Sequence, residues 1–129
     1  MDGNEQQQAA VKSYILAYNA FDLEGMLVHL HDEVVFRNIS NGEVNLETRG
    51  KIAFAEQARL AAGYFTERKQ TIADIQFPES QVIEVAIDYQ AVLAIDFPNG
   101  MKQGDKIAIK GRSCFRFEND QIVEIEDVS

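Results

Sequence analysis

Apolar residues recur along this chain with two different periods, helical up to about residue 65 and two-residue from about residue 71. Ala10, Tyr14, Ala17 and Phe21 fall at i, i+4, i+7 and i+11, and Val11, Ile15 and Tyr18 widen the stripe. That spacing predicts a helix buried along most of one side. Asp22 is placed to cap a second helix, whose Leu23, Met26, Leu27 and Leu30 form their own stripe. Val34 to Ile39 is β-rich and Asn41-Gly42 marks a turn. Phe54, Ala58, Ala61 and Phe65 are in register for a third helix.

Beyond Thr71 the alternation is that of strands. Val85, Ile87, Tyr89, Ala91, Leu93 and Ile95 interleave with Ala86, Asp88, Gln90, Val92, Ala94 and Asp96. Phe97-Pro98-Asn99-Gly100 is a turn signal. Ile107 to Phe117 is a second long strand, and Asn119-Asp120 predicts a tight hairpin into Gln121 to Val128. Helices first and hairpins afterwards make an α+β layout, a curved antiparallel sheet with three N-terminal helices on one face. With no linker, repeat or break in composition, residues 1–129 are expected to form a single domain.

The two-residue period also assigns faces. In the strand from Ile107, the apolar set Ile107, Ile109, Phe115 and Phe117 must face inward and carries Ser113 with it. Ala108, Lys110, Arg112, Cys114 and Arg116 face outward. On the last strand Glu124 and Glu126 are natural partners for Lys110, Arg112 and Arg116. That pairing turns Asp127 inward together with Val123 and Ile125. On the first strand Val34, Phe36 and Asn38 point in and Arg37 points out. The inner polar set is therefore Tyr14, Tyr18, Asn38, Ser113 and Asp127.

Charge narrows the choice of partners. Twenty-one acidic residues against 12 basic ones give a net charge of −9, which repels phosphate backbones and anionic lipid. Neither nucleic acid nor a membrane is expected as a partner, and no apolar run reaches the roughly 20 residues a span requires. The first eight residues are too polar and acidic for a secretory signal, and Cys114 is the single cysteine, so a cytoplasmic location is expected.

Each inner polar residue admits two readings. A buried Asp127 would have its carboxyl shifted upward, suited to general acid–base work; being near the chain end, it could equally be an idle, solvated group. Tyr14 and Tyr18 could donate to a ligand oxygen or pack with satisfied hydroxyls. Asn38 could fix a ligand carbonyl or close a turn, and Ser113 could be a satisfied core hydroxyl. His29 and His31, two apart on a helix, would point to opposite faces and could not share a metal. There is no phosphate-cradling glycine motif, and no cofactor or metal is expected.

The run Tyr14-Ile15-Leu16-Ala17-Tyr18-Asn19-Ala20-Phe21-Asp22-Leu23, followed by the strand to Asn38, resembles the opening of the nuclear transport factor two-like superfamily, the cone-shaped α+β domains of ketosteroid isomerases and SnoaL-like cyclases. Phe97-Pro98-Asn99-Gly100, Phe115-Arg116-Phe117 and Ile122-Val123-Glu124-Ile125 are similar to the SnoaL-like branch. The resemblance implies a cone whose helices pack on the concave face of the sheet. It also implies a homodimer through the outer face, to which Val92, Ala94, Ala108 and Cys114 would contribute. In a ketosteroid isomerase a helix tyrosine, a strand base and an oxyanion aspartate act together. Tyr14 matches the first, but Asn38 stands at the base position and Ser113 at that of the aspartate. The cyclases instead carry an acid–base aspartate near the position of Asp127. The resulting expectation is a cofactor-free isomerase, cyclase or dehydratase acting on a small, apolar, carbonyl-bearing molecule. Asp127, Tyr14 and Asn38 would be catalytic, and Tyr18, Phe36, Phe54, Ser113 and Phe115 would contact the ligand. A binding domain without chemistry and a dimeric interaction module with a filled core are the alternatives.

Overall fold

The computed structural model describes residues 2–129, with side chains from Glu5 onward. Helix α1 (Asp2–Asn19) and the short α2 (Leu23–Leu27) lead into strands β1 (Leu30–Ser40) and β2 (Glu43–Arg49). Helix α3 (Lys51–Ala62) is followed by β3 (Phe65–Glu79), β4 (Val82–Leu93), β5 (Lys106–Glu118) and β6 (Gln121–Val128). The six strands form one open, curved sheet in the order β2-β1-β6-β5-β4-β3. Buried apolar side chains of all three helices pack on its inner face, against Val85, Ile87, Phe115, Phe117 and Ile125. This is the α+β arrangement that the two periods predict.

The sheet differs from that expectation in being mixed. All neighbours are antiparallel except β1 and β6, which run parallel. Parallel neighbours need a long crossover, and here everything from β2 to β5 supplies it. The last strand returns to the middle of the sheet, between β1 and β5. Its outer face is therefore shared with β1 as well as β5. Arg37 on β1 bonds both Glu124 and, at 2.9 Å, Glu126, and only Arg116 of the three expected β5 cations reaches Glu124. Lys110 and Arg112 turn instead to Asp88 and Glu84 on β4, each at 2.9 Å.

Local chemistry sets several boundaries differently from the sequence reading. Gly63 ends α3, so Phe65 opens β3 rather than completing the helical stripe. Leu30 is fully buried but begins β1, and His29 and His31 are off the helix, with His29 near Ser13 and His31 accepting from the Glu33 amide. Strand β2 was not expected, because as an edge strand rich in charge and polar residues it has little apolar signal. Val123 is bulged: Arg116 pairs with Glu124 while Phe117 pairs with Ile122. The extra residue turns Ile122 inward in place of Val123 and leaves the alternation of Ile125 and Asp127 intact.

Candidate functional site

Register across the sheet stacks the inner face into rows. Phe36 pairs with Ile125, Ile125 with Phe115 and Phe115 with Ile83, an apolar row spanning β1, β6, β5 and β4. One step along the strands, Asn38 pairs with Asp127 and Asp127 with Ser113, which makes a polar row. Above it come Gly111 beside Ile87, then Ile109 beside Tyr89 and Tyr89 beside Gln70. The helices seal the lower rows and leave the upper ones partly uncovered. A cavity of about 230 Å³, open to solvent, lies over the upper rows.

The polar row is the boundary between core and cavity. Asp127, Ser113, Asn38 and Tyr18 line the cavity together with Tyr89, Gln70, Ile87 and Ile109. Tyr14, Phe36, Phe54 and Phe115, four of the residues expected at the site, are placed below the row. Tyr14 packs against Phe115 and Phe54, with ring centroids 5.6 and 6.5 Å apart, and Phe36 meets Phe54 at 5.7 Å. Tyr18 is one helical turn above Tyr14. A turn rises about 5.4 Å and two strand residues about 6.6 Å, so the two tyrosines address successive rows of the sheet.

Asp127 is flanked on both sides by neutral polar groups. The Ser113 hydroxyl donates to its Oδ1 at 2.7 Å, while Asn38 donates to Asn45 at 2.9 Å from the other side. Burial pushes the Asp127 carboxyl up from 3.8 to about 6, against the pull of the Ser113 hydrogen bond. Glu124 and Glu126 belong to the outer ion-pair rows instead, where Arg37 and Arg116 hold Glu124 below the usual carboxylate range despite its partial burial.

The opposite wall is aromatic and hydrogen-bonded. The Tyr18 and Tyr89 hydroxyls are 2.9 Å apart, and burial raises both phenols. The end of α1 is fixed by a side-chain clasp on the edge strand β3. The Gln70 amide donates to Asn19 Oδ1 at 2.7 Å, and Asn19 Nδ2 donates to the Gln70 carbonyl at 3.0 Å. Just beyond, the Gly25 amide donates to Asp22, the expected cap. The Asn-Ala-x-Asp corner thus anchors the helix that carries Tyr18.

Tyr89 and Gln70, which line the cavity, and Arg68, which stacks on the Tyr18 ring, were not named as site residues by the sequence reading. Tyr89 was within reach, because it shares the inward face of Ile87 and Val85. Arg68 was not, since a bulge at Thr66 shifts the register of β3 and turns Arg68 inward.

The SnoaL-like domain family matches residues 11–125. The chain belongs to this family. No curated protein matches its sequence significantly. Among solved structures, it is similar to a proposed polyketide cyclase from Xanthomonas campestris (TM-score 0.77, 18% identity, 98% of this chain and 92% of the other). A second likeness is to IdmH of Streptomyces antibioticus, also described as a proposed polyketide cyclase (TM-score 0.77, 14% identity, 95% and 90%). A third is to an LEH-like epoxide hydrolase of M. tuberculosis (TM-score 0.75, 15% identity, 96% and 82%). At such identities the likeness carries the fold of this SnoaL-like domain and leaves its chemistry to its own residues.

Proposed function

We propose that this SnoaL-like chain, as one domain in a homodimer, binds a small, apolar, carbonyl-bearing molecule in the cavity and moves a proton on it with Asp127. The observation that carries this reading is a carboxylate in the cavity wall whose burial pushes it up to about 6. At pH 7 such a group is mostly ionised yet more basic than an ordinary carboxylate, which suits abstraction of a proton α to a carbonyl. The C–H pair moves into an enol or enolate, its oxygen receives a hydrogen bond from Tyr18, and protonated Asp127 returns the proton elsewhere on the skeleton. Asn38 orients the ligand from the neighbouring strand. Among the solved structures the chain resembles are proposed polyketide cyclases, which is consistent with this class of reaction.

One observation favours a binding domain without chemistry: Asn38 and Ser113 are neutral where an isomerase of the ketosteroid type has its base and its oxyanion acid. Thermal-shift screening with enones and aromatic ketones, followed by turnover assays on each hit, separates the two. Under the enzymatic reading Asp127→Asn retains binding and loses about a hundred-fold or more in turnover, the usual worth of a general base. The wild-type rate should rise with pH through about 6 and then level off. Binding in both proteins with turnover in neither would make the chain a binding domain.

A further inference from the structure

Arg68 is 7% exposed and has no carboxylate partner among the described residues. Its Nε donates to the Tyr18 carbonyl at 2.8 Å, and its guanidinium lies 3.7 Å above the Tyr18 ring and 4.3 Å from that of Phe21. A nearly buried cation without a counter-charge is costly. The end of α1 and the two ring faces offset part of that cost. They do not neutralise it, and the charge acts through the Tyr18 ring on the hydroxyl pair at the cavity wall.

Proton counting says what that pair can do. Two hydroxyls carry two protons, and the 2.9 Å bond between Tyr18 and Tyr89 uses one of them. Whichever oxygen donates, the other keeps an O–H for a third partner. Both tyrosines line the cavity. A ligand oxygen that accepts this bond and bears negative charge would also supply Arg68 with the missing counter-charge.

We propose that the Tyr18 and Tyr89 hydroxyls, backed by Arg68 against the Tyr18 ring, form a subsite for an anionic oxygen, and that the cavity takes the one- or two-ring core of phenols and enols, bound as phenolate or enolate. This rests on the ligand-binding reading above and narrows its substrate class. A cavity of about 150 Å³ holds one benzene, and this one, at about 230 Å³ and open to solvent, seats a one- or two-ring core and leaves any further ring outside.

The test uses para-nitrophenol, whose ionised form has its own visible absorption band, and its neutral methyl ether para-nitroanisole. Wild-type protein should bind para-nitrophenol as the phenolate at a pH below the free phenol's own pKa. Arg68→Met should lose that band and weaken the phenol about ten-fold or more, the worth of one charge-assisted hydrogen bond, with the ether unaffected. Arg68→Lys should restore part of the band, and Tyr89→Phe should weaken the phenol alone; these two carry the test if Arg68→Met does not fold. Naphthol should bind through the same subsite, with the same loss in Arg68→Met. Binding of the neutral phenol, or an equal loss of both probes in Arg68→Met, would overturn the proposal. Failure of every probe would overturn it together with the ligand-binding reading. Phenolate binding retained in Asp127→Asn, with no turnover in either protein, would leave the subsite standing and remove only the proton-transfer step.

Discussion

Asp127 couples the site to stability. Its folded value of about 6 lies above the ordinary 3.8, so the folded state favours the protonated carboxyl. The associated stabilisation is fully present below about pH 4 and is lost as pH rises through about 6. A tenfold change in proton affinity is worth about 1.4 kcal/mol, so the loss is at most about 3 kcal/mol, reduced by the water that the open cavity admits. Asp127→Asn keeps an acceptor for Ser113 and removes the charge. Urea denaturation should therefore show the variant more stable than wild type at pH 7 and without the slope between pH 4 and 6. On the opposite wall, Tyr18→Phe and Tyr89→Phe each strand the partner hydroxyl. A double-mutant cycle should return a coupling of about 0.5–1.5 kcal/mol, the net worth of one hydrogen bond. Of the inner polar residues the sequence singled out, four line the cavity, and period two was enough to turn Asn38, Ser113 and Asp127 inward. Alternation gives a face but not a height along the strand, and height decides whether an inward residue meets core or cavity. That is why Tyr14, Phe36, Phe54 and Phe115 were expected at the site and lie beneath it.

Elements hold these side chains in place by a few specific contacts. The amide of Asn19 acts as an extra peptide group on the free edge of β3, satisfying both backbone groups of Gln70. Asn19→Ala should cost about 1–3 kcal/mol, with faster hydrogen exchange at the Gln70 amide. It should also weaken ligand binding, because the helix end that carries Tyr18 is released. Helix α1 and the strands β4, β5 and β6 were legible because their apolar periods are long, and α2 because Asp22 marks its start. The start of β3, the edge strand β2 and the bulges at Thr66 and Val123 were not. Bulges add a residue without any compositional mark, and edge strands owe their pairing to a neighbour rather than to their own apolar content. The parallel contact of β1 with β6 lies beyond local pattern altogether, since it joins the two ends of the sheet-forming sequence.

For the whole molecule, the outer sheet face is the surface that the homodimer proposal uses. Its rows of ion pairs, Lys110 with Asp88 and Arg112 with Glu84, lie between the small residues Ala108 and Cys114. Exposed pairs of this kind contribute little to folding, about 0–1 kcal/mol each, and more to register between surfaces. Sedimentation should give twice the 14.5 kDa chain mass, and Ala108→Arg should give the monomer while the cavity still binds its ligand. Among the described residues no helix is long and apolar enough to cross a membrane. Isotope-edited NMR titration of the Asp127 side-chain carboxyl tests its role at the cavity wall, with Asp127→Asn assigning the resonance. A midpoint near 6, moving when a cavity ligand is added, is the predicted result. A midpoint at the ordinary 3.8, indifferent to ligand, would contradict the account and leave the carboxylate as a solvated strand-end group.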